Sequence, residues 1–440
     1  MLSKLNPMPK TFRSIASAFI VLLAFAGPAK AQLEITVTGG QTGAQPIAIV
    51  PFGSNEGVMD IAQVIETDLV RSGMFYALPR ADMLERPIEP KQIDHRNWKA
   101  VNMDNVVIGS VRRDPGSDRV AVRFYLFDVL RGEQRLGFEM PAAEPSQLRY
   151  TAHQIADLIF EKLTGIPGIF NTKIAYVASQ GYGLDRKYAL MISDWDGENP
   201  RTVATSREPL MSPQWAPDRR RLAYVGYERG RSSIYVHEVA TGRVKKLVSE
   251  KGINGSPAWS PDGTKLAITL SYEANPDIYI VDVATGAKRR LTATEGIDTE
   301  AAWSPDGTQL VFTSERGGPP QIYRMNADGS GATRITFTGR QNLRASYSPD
   351  GKNIALVNLD DNRYRIALLD VASGSMRLLS DGRFDEGPSF APNGATVIYA
   401  TQGSKGAELA TVSIDGRVRQ RLRQTGDVRE PAWSPLQRSQ

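Results

Sequence analysis

Ala258-Trp259-Ser260-Pro261-Asp262-Gly263 returns as Ala302-Trp303-Ser304-Pro305-Asp306-Gly307, and the spacing between the two decides the fold. Weaker copies are Gln214-Trp215-Ala216-Pro217-Asp218, Ser346-Tyr347-Ser348-Pro349-Asp350-Gly351 and Ser389-Phe390-Ala391-Pro392-Asn393-Gly394; a truncated one, Ala432-Trp433-Ser434-Pro435, lies near the end. The aromatic anchors at 215, 259, 303, 347, 390 and 433 are 44, 44, 44, 43 and 43 residues apart. A period of that size filled with short alternating strands is the signature of sheets arrayed around an axis.

One repeat shows the mechanism. Ala258-Trp259-Ser260 ends a strand, and Pro261-Asp262-Gly263 turns it, because Pro fixes φ and Gly accepts φ > 0. Leu266–Leu270, Ile278–Asp282 and Arg290–Thr292 supply three more strands, so each repeat is a four-stranded propeller blade. Lys173–Val177, Tyr188–Ile192 and Arg201–Ala204 form a blade that lacks its inner strand, while the anchor at Trp433 has nothing after it. The two fragments complete each other. The expectation is six blades, residues 166–440, closed by the C-terminal strand.

Residues 1–31 read as a secretory signal peptide. Lys4, Lys10 and Arg13 precede the apolar run Ile15–Phe25, and Ala29-Lys30-Ala31 places small residues at the cleavage subsites, so cleavage is expected between Ala31 and Gln32. The run is too short for a membrane anchor. The chain carries 53 Lys and Arg against 48 Asp and Glu, a net charge of +5. Four of those basic residues lie in the leader, so composition argues for neither a nucleic-acid partner nor a charged membrane surface. With no cysteine, no disulfide staples the exported fold and no lipid-modified Cys follows the cleavage site. A monomer that is soluble outside the cytoplasm, without direct membrane insertion, is expected.

Residues 32–165 read as a small α/β domain. Leu33-Glu34-Ile35-Thr36-Val37 alternates as a strand and is followed by Gly39-Gly40-Gln41-Thr42-Gly43, a flexible linker. Two uses stand open: an edge strand of its own domain, or a detachable strand that pairs with another protein's sheet. Pro46–Pro51, Val106–Gly109, Val120–Phe127 and Arg135–Met140 read as strands. Val58, Ile61, Ile65 and Leu69 mark one helix, and Leu148, Ala152, Ile155, Ile159 and Leu163 a second that Gly165 ends. No phosphate-binding glycine pattern follows the first strand. His95 and His153 read as isolated, and His237 as a structural strand histidine.

The Asp-Gly turns at Asp262 and Asp306, and Asp194-Trp195-Asp196-Gly197, read as hairpin turns rather than calcium loops, since the dense oxygen-ligand spacing is missing. No metal or cofactor is expected. Functional residues are expected at the opposite face, three and four positions before each anchor: Met211/Ser212, Gly255/Ser256, Thr299/Glu300, Leu343/Arg344, Glu386/Gly387 and Arg429/Glu430. Two functions compete for that mouth. One is protein docking; the other is glycosidic cleavage by a carboxylate pair among Glu300, Glu386 and Glu430. No Gly-x-Ser-x-Gly elbow occurs, and five residues follow Pro435, so an appended serine-hydrolase domain is not expected. Because no spacing singles out an acid and a nucleophile, docking is the preferred reading.

The order signal peptide, α/β domain, six-bladed propeller resembles the TolB family. The junction segments Glu161-Lys162-Leu163-Thr164-Gly165-Ile166 and Thr172–Val177, with Pro209-Leu210-Met211-Ser212-Pro213 and Ala391-Pro392-Asn393-Gly394, carry the likeness. The resemblance implies a non-enzymatic periplasmic adaptor of the Tol–Pal system, which supports outer-membrane integrity and invagination at division. It implies that the propeller mouth binds the peptidoglycan-associated lipoprotein Pal, with contacts at Ser256 and Thr299 and Glu300 beside them; Ile253, Arg344 and Glu430, from the same mouth, complete the expected docking site. It further implies that the inner-membrane protein TolA is engaged by the N-terminal strand through Leu33, Glu34, Ile35, Thr36 and Val37. Ile253 stands where better-known members place a histidine.

Overall fold

Six antiparallel sheets, five of four strands and one of five, realise the repeat. The computed structural model describes residues 35–37, 43–53, 58–114, 116–273, 275–404, 406–422, 424 and 426–437. The described residues form one compact unit. The leader, the expected cleavage residues Ala31 and Gln32, and Leu33 and Glu34 lie outside the described residues.

Blade one pairs the C-terminal strand Asp427–Trp433 with Lys173–Gln180, followed by Lys187–Asp194 and Arg201–Ser206. The ring therefore closes as the spacing predicts, with Trp433 opposite Ile174. The anchors do more than fill space. Trp259 Nε1 donates to the Gln214 carbonyl at 3.2 Å, Trp303 Nε1 to that of Ala258 at 3.3 Å, and Trp433 Nε1 to Thr172 Oγ1 at 2.7 Å. Two of these bonds run from one blade to the inner strand of the blade before it. Between blades the packing is aliphatic and aromatic: Ala223, Ile234 and Val236 of blade two meet Trp259, Leu266 and Tyr279 of blade three.

The motif turns are cross-braced. Ser260 Oγ donates to Asp262 Oδ1 at 2.6 Å, and the Thr264 amide and hydroxyl reach the same carboxylate at 3.0 and 2.8 Å. Hydrogen bonds from Ser260, then Thr264, hold the Asp262 pKa down at about 2. Gly263 (φ 69°) and Gly307 (φ 72°) take the left-handed position. Both Asp262 and Asp306 are thus occupied within their own turns.

The α/β layer is a mixed five-stranded sheet in the order Phe75–Ala77, Gln45–Ile49, Asn105–Arg113, Val120–Asp128, Glu133–Ala143. Helices α1 (Ile61–Arg71, capped by Asp60) and α3 (Leu148–Thr164, ended by Gly165 at φ 73°) cover one face with Ile61, Ile65, Leu69, Ile155 and Ile159. The six-residue helix α2, His95–Ala100, buries Trp98 on the other face against Val106 and Phe127. Neither α2 nor the strand Phe75–Ala77 is long enough to show a period in the sequence.

Two expectations need correction. The N-terminal strand Ile35–Val37 is not an edge of the α/β sheet. It adds a fifth strand to blade six, antiparallel to Val418–Leu422, with Ile35 opposite Gln420 and Val37 opposite Val418. Outer blade strands leave an unpaired edge, and a short alternating segment satisfies it. His153, read as isolated, is buried at 3% exposure and bonded through Nδ1 to Asp68 at 2.6 Å.

Candidate functional site: the propeller mouth

All six inner strands break register three to four residues before the anchor. At each break one residue is left-handed: Ser212, Ser256, Glu300, Arg344, Gly387 and Glu430, with φ of 50°, 47°, 56°, 52°, 62° and 53°. Five of the six are not glycine, so each stores on the order of 1 kcal/mol or more. The bulge turns these residues into the channel, where they and the residues after them enclose a gap of about 100 Å³.

Three of them interlock. Arg344 lies between two carboxylates, its Nε donating to Glu300 Oε1 at 3.1 Å and its Nη2 to Glu430 Oε1 at 3.3 Å. The second Glu300 oxygen accepts from Thr313 Oγ1 at 2.9 Å and from the Arg344 amide at 3.0 Å. The Ser212 amide donates to the second Glu430 oxygen. Burial opposes the Arg344 charge, but the Glu430, Glu300 and Glu386 carboxylates more than restore it, and its pKa lies above the ordinary arginine range. Arg429 pairs with Glu386 at 3.1 Å and with Asp427 at 3.2 Å.

The structure therefore divides the expected site residues. Ser256, Glu300, Arg344 and Glu430 line the channel rather than stand on its rim. Thr299 sits beside them, its hydroxyl 3.1 Å from that of Thr269. Ile253 is apart, half exposed at 50% on the loop before the inner strand of blade three.

Ile253 has company that the sequence reading missed. Strands alternate in direction, so the loops into the inner strands and the hairpins between second and third strands emerge on the face opposite the Pro-Asp-Gly turns. Of the described large apolar side chains exposed on the propeller, seven belong to that face: Tyr182, Met211, Ile253, Tyr272, Ile297, Phe337 and Phe384. Tyr182 is 92% exposed and Phe337 75%. Phe337 carries the Arg334 guanidinium 5.2 Å from its ring centre, and Phe384 that of Arg383 at 5.4 Å. Apolar side chains exposed on one face and interleaved with charge mark an interaction surface. A larger cavity, about 830 Å³, lies on the flank of blade one, with Tyr176, Tyr188 and Met191 among the residues that line it and none of the channel residues.

With this geometry in place, comparison with known proteins settles the family. A family model described as the TolB β-propeller domain matches residues 160–437, and one described as the TolB amino-terminal domain matches residues 33–135. The chain belongs to the TolB family. The Tol-Pal system protein TolB of Thioalkalivibrio sulfidiphilus is 58% identical over 98% of this chain and 99% of its own. That of Nitrosococcus oceani is 59% identical over 95% and 97%. The crystal structure of TolB from Acinetobacter baumannii superposes with a TM-score of 0.84 at 40% identity, covering 92% of this chain and all of that one. Both of these sequence relatives are named for the Tol-Pal system. Among the described residues no helix is long and apolar enough to cross a membrane.

Proposed function

We propose that this chain is a non-enzymatic periplasmic adaptor of the Tol–Pal system, which docks a Pal-type lipoprotein on its propeller mouth and a TolA-type protein through its N-terminal strand. The observation that carries the reading is the apolar mouth face around a channel whose charged side chains already have partners. Seven exposed apolar side chains share the face around a constriction in which Arg344 bridges the facing Glu300 and Glu430. Such a surface gains by covering apolar area, without the cost of stripping water from unpaired charge.

The competing reading, glycosidic cleavage, asks for one protonated and one ionised carboxyl flanking open space. Here Glu300 and Glu430 share Arg344, and Glu386 is held by Arg429, so each candidate acid is paired with a cation. Supporting the second half of the proposal, the pairing of Ile35–Val37 on blade six spans three residue pairs, a contact small enough to exchange for another sheet edge. Pal at the mouth would bias that exchange only if it binds the two strand positions with different affinity.

Calorimetric titration of the chain lacking residues 1–31 with the soluble domain of Pal tests the reading. Binding that Thr299→Arg and Phe337→Asp each weaken by about tenfold or more is expected, the loss typical of a centrally placed contact. No binding by the well-folded chain would overturn it.

A further inference from the structure

The α/β layer is joined to blade one by a buried cluster of charges outside the mouth, and its centre is His153 on α3. Its Nδ1 lies 2.6 Å from Asp68 Oδ2 of α1. The other oxygen of Asp68 accepts the indole N–H of Trp195, in the Asp194–Gly197 turn of blade one, at 3.1 Å. His153 Nε2 is buried, has no hydrogen-bond partner among the described residues, and points to Asp194 Oδ2 at 3.9 Å. A neutral ring with its proton on Nδ1 would leave Nε2 a buried acceptor facing a carboxylate. Only the imidazolium turns an N–H toward both acids, one on each side of the junction.

Four carboxylates, those of Asp68, Asp194, Asp196 and Asp157, and three fixed cations surround the ring. On α1, Arg71 pairs with Asp196 at 3.4 Å; on α3, Arg149 reaches Asp196 and lies 3.5 Å from Asp194; from blade one, Lys173 also reaches Asp194. Asp157, one turn beyond His153, accepts the amides of Phe170 and Asn171 at 2.7 and 3.2 Å. The ligand atoms of Asp68, His153 and Asp196 lie within 4.8 Å of one another, a spacing that suits a metal. Yet Asp196 is already held by two arginines and Asp68 by Trp195 and His153, so the trio is balanced without a cation.

We propose that His153 is a proton-held latch: its imidazolium bridges Asp68 of α1 and Asp194 of blade one, and loss of that proton loosens the seat of the α/β layer on the propeller. Burial alone would push the imidazole pKa down, but the Asp68 carboxylate, helped by Asp196, holds it above its ordinary 6.5. The effect reaches the N-terminal strand by a direct route. The Gln420 side chain donates to the Arg71 carbonyl at the end of α1, and Gln420 is the residue opposite Ile35.

The test uses two accidents of composition, three histidines and no cysteine. In the chain lacking residues 1–31, proton NMR follows the three imidazoles from pH 5.5 to 9, with His153 assigned by His153→Gln. Spin labels on Glu133→Cys of the α/β sheet and Val244→Cys of blade two report the distance across the junction. The latch predicts a His153 midpoint above 6.5 that Asp194→Asn lowers, and a single narrow distance at pH 6 that broadens by pH 8.5. A His153 midpoint at or below 6.5, or the same distance distribution at both pH values, would overturn it. The pH dependence of the distance is read with His153 in place, so the latch is decided even if His153→Gln fails to fold.

Discussion

Arg344 is the residue on which the channel turns. Its guanidinium separates two carboxylates that would otherwise face each other across a narrow, partly buried gap. Arg344→Ala should therefore cost about 3 kcal/mol, as breaking a buried pair leaves uncompensated charge; a urea midpoint unchanged from wild type would show that solvent already screens the pair. A second residue-scale test concerns Trp433. Trp433→Phe keeps most of the packing but removes the indole bond to the buried Thr172 hydroxyl, which is left with only its bond to the Ile169 carbonyl. The expected loss is about 1–2 kcal/mol by the same measurement. The left-handed positions were only half legible at this scale. Gly387 advertises a positive φ, whereas Ser212, Ser256, Glu300, Arg344 and Glu430 do not, because the bulge is imposed by the register of the blade and not by residue preference.

At the scale of elements, the closing strand is the strongest consequence of the repeat arithmetic. Asp427–Trp433 places Val428, Ala432 and Trp433 in the core of blade one. Deleting 425–440 should lower the melting temperature by about 10 °C or more, from several kcal/mol of lost burial; an unchanged melting curve would break the closure. The N-terminal strand behaves differently, since it only supplements an outer edge. Deleting 32–38 should leave the melting temperature within about 2 °C and abolish binding to a TolA-type protein, and retained affinity would count against its role. That strand's partner was not legible. Alternation in Leu33–Val37 says that it pairs, but both the α/β sheet and blade six end in an edge that would take it, and only the three-dimensional arrangement chooses.

For the whole molecule, blade count, closure and the mixed sheet were readable because each rests on periodicity, a property of many residues at once. The apolar mouth and the His153 junction were not, because they join residues tens to hundreds of positions apart with no common spacing. A signal for the mouth was present, in Ile253, Ile297, Phe337 and Phe384 standing in turn-rich segments ahead of the inner strands. Junction chemistry also sets a pH dependence. Burial raises the Asp157 pKa to about 7, against the opposing pull of the Phe170 and Asn171 amides, and His153 is raised as well. Both groups hold protons more tightly folded than unfolded. Their contribution is therefore full on the acid side and is lost as pH rises through the folded values. The melting temperature should fall between pH 6 and pH 8; a flat or rising profile would contradict the sign.

The central claim is that the apolar mouth face is the docking surface. Hydrogen exchange of the chain lacking residues 1–31, alone and saturated with the soluble domain of Pal, tests it most directly. Protection concentrated in the loops 249–253, 292–297, 335–340 and 379–385, with the Pro-Asp-Gly turns unchanged, is the predicted result. Protection confined to the turn face or to the flank of blade one would contradict it.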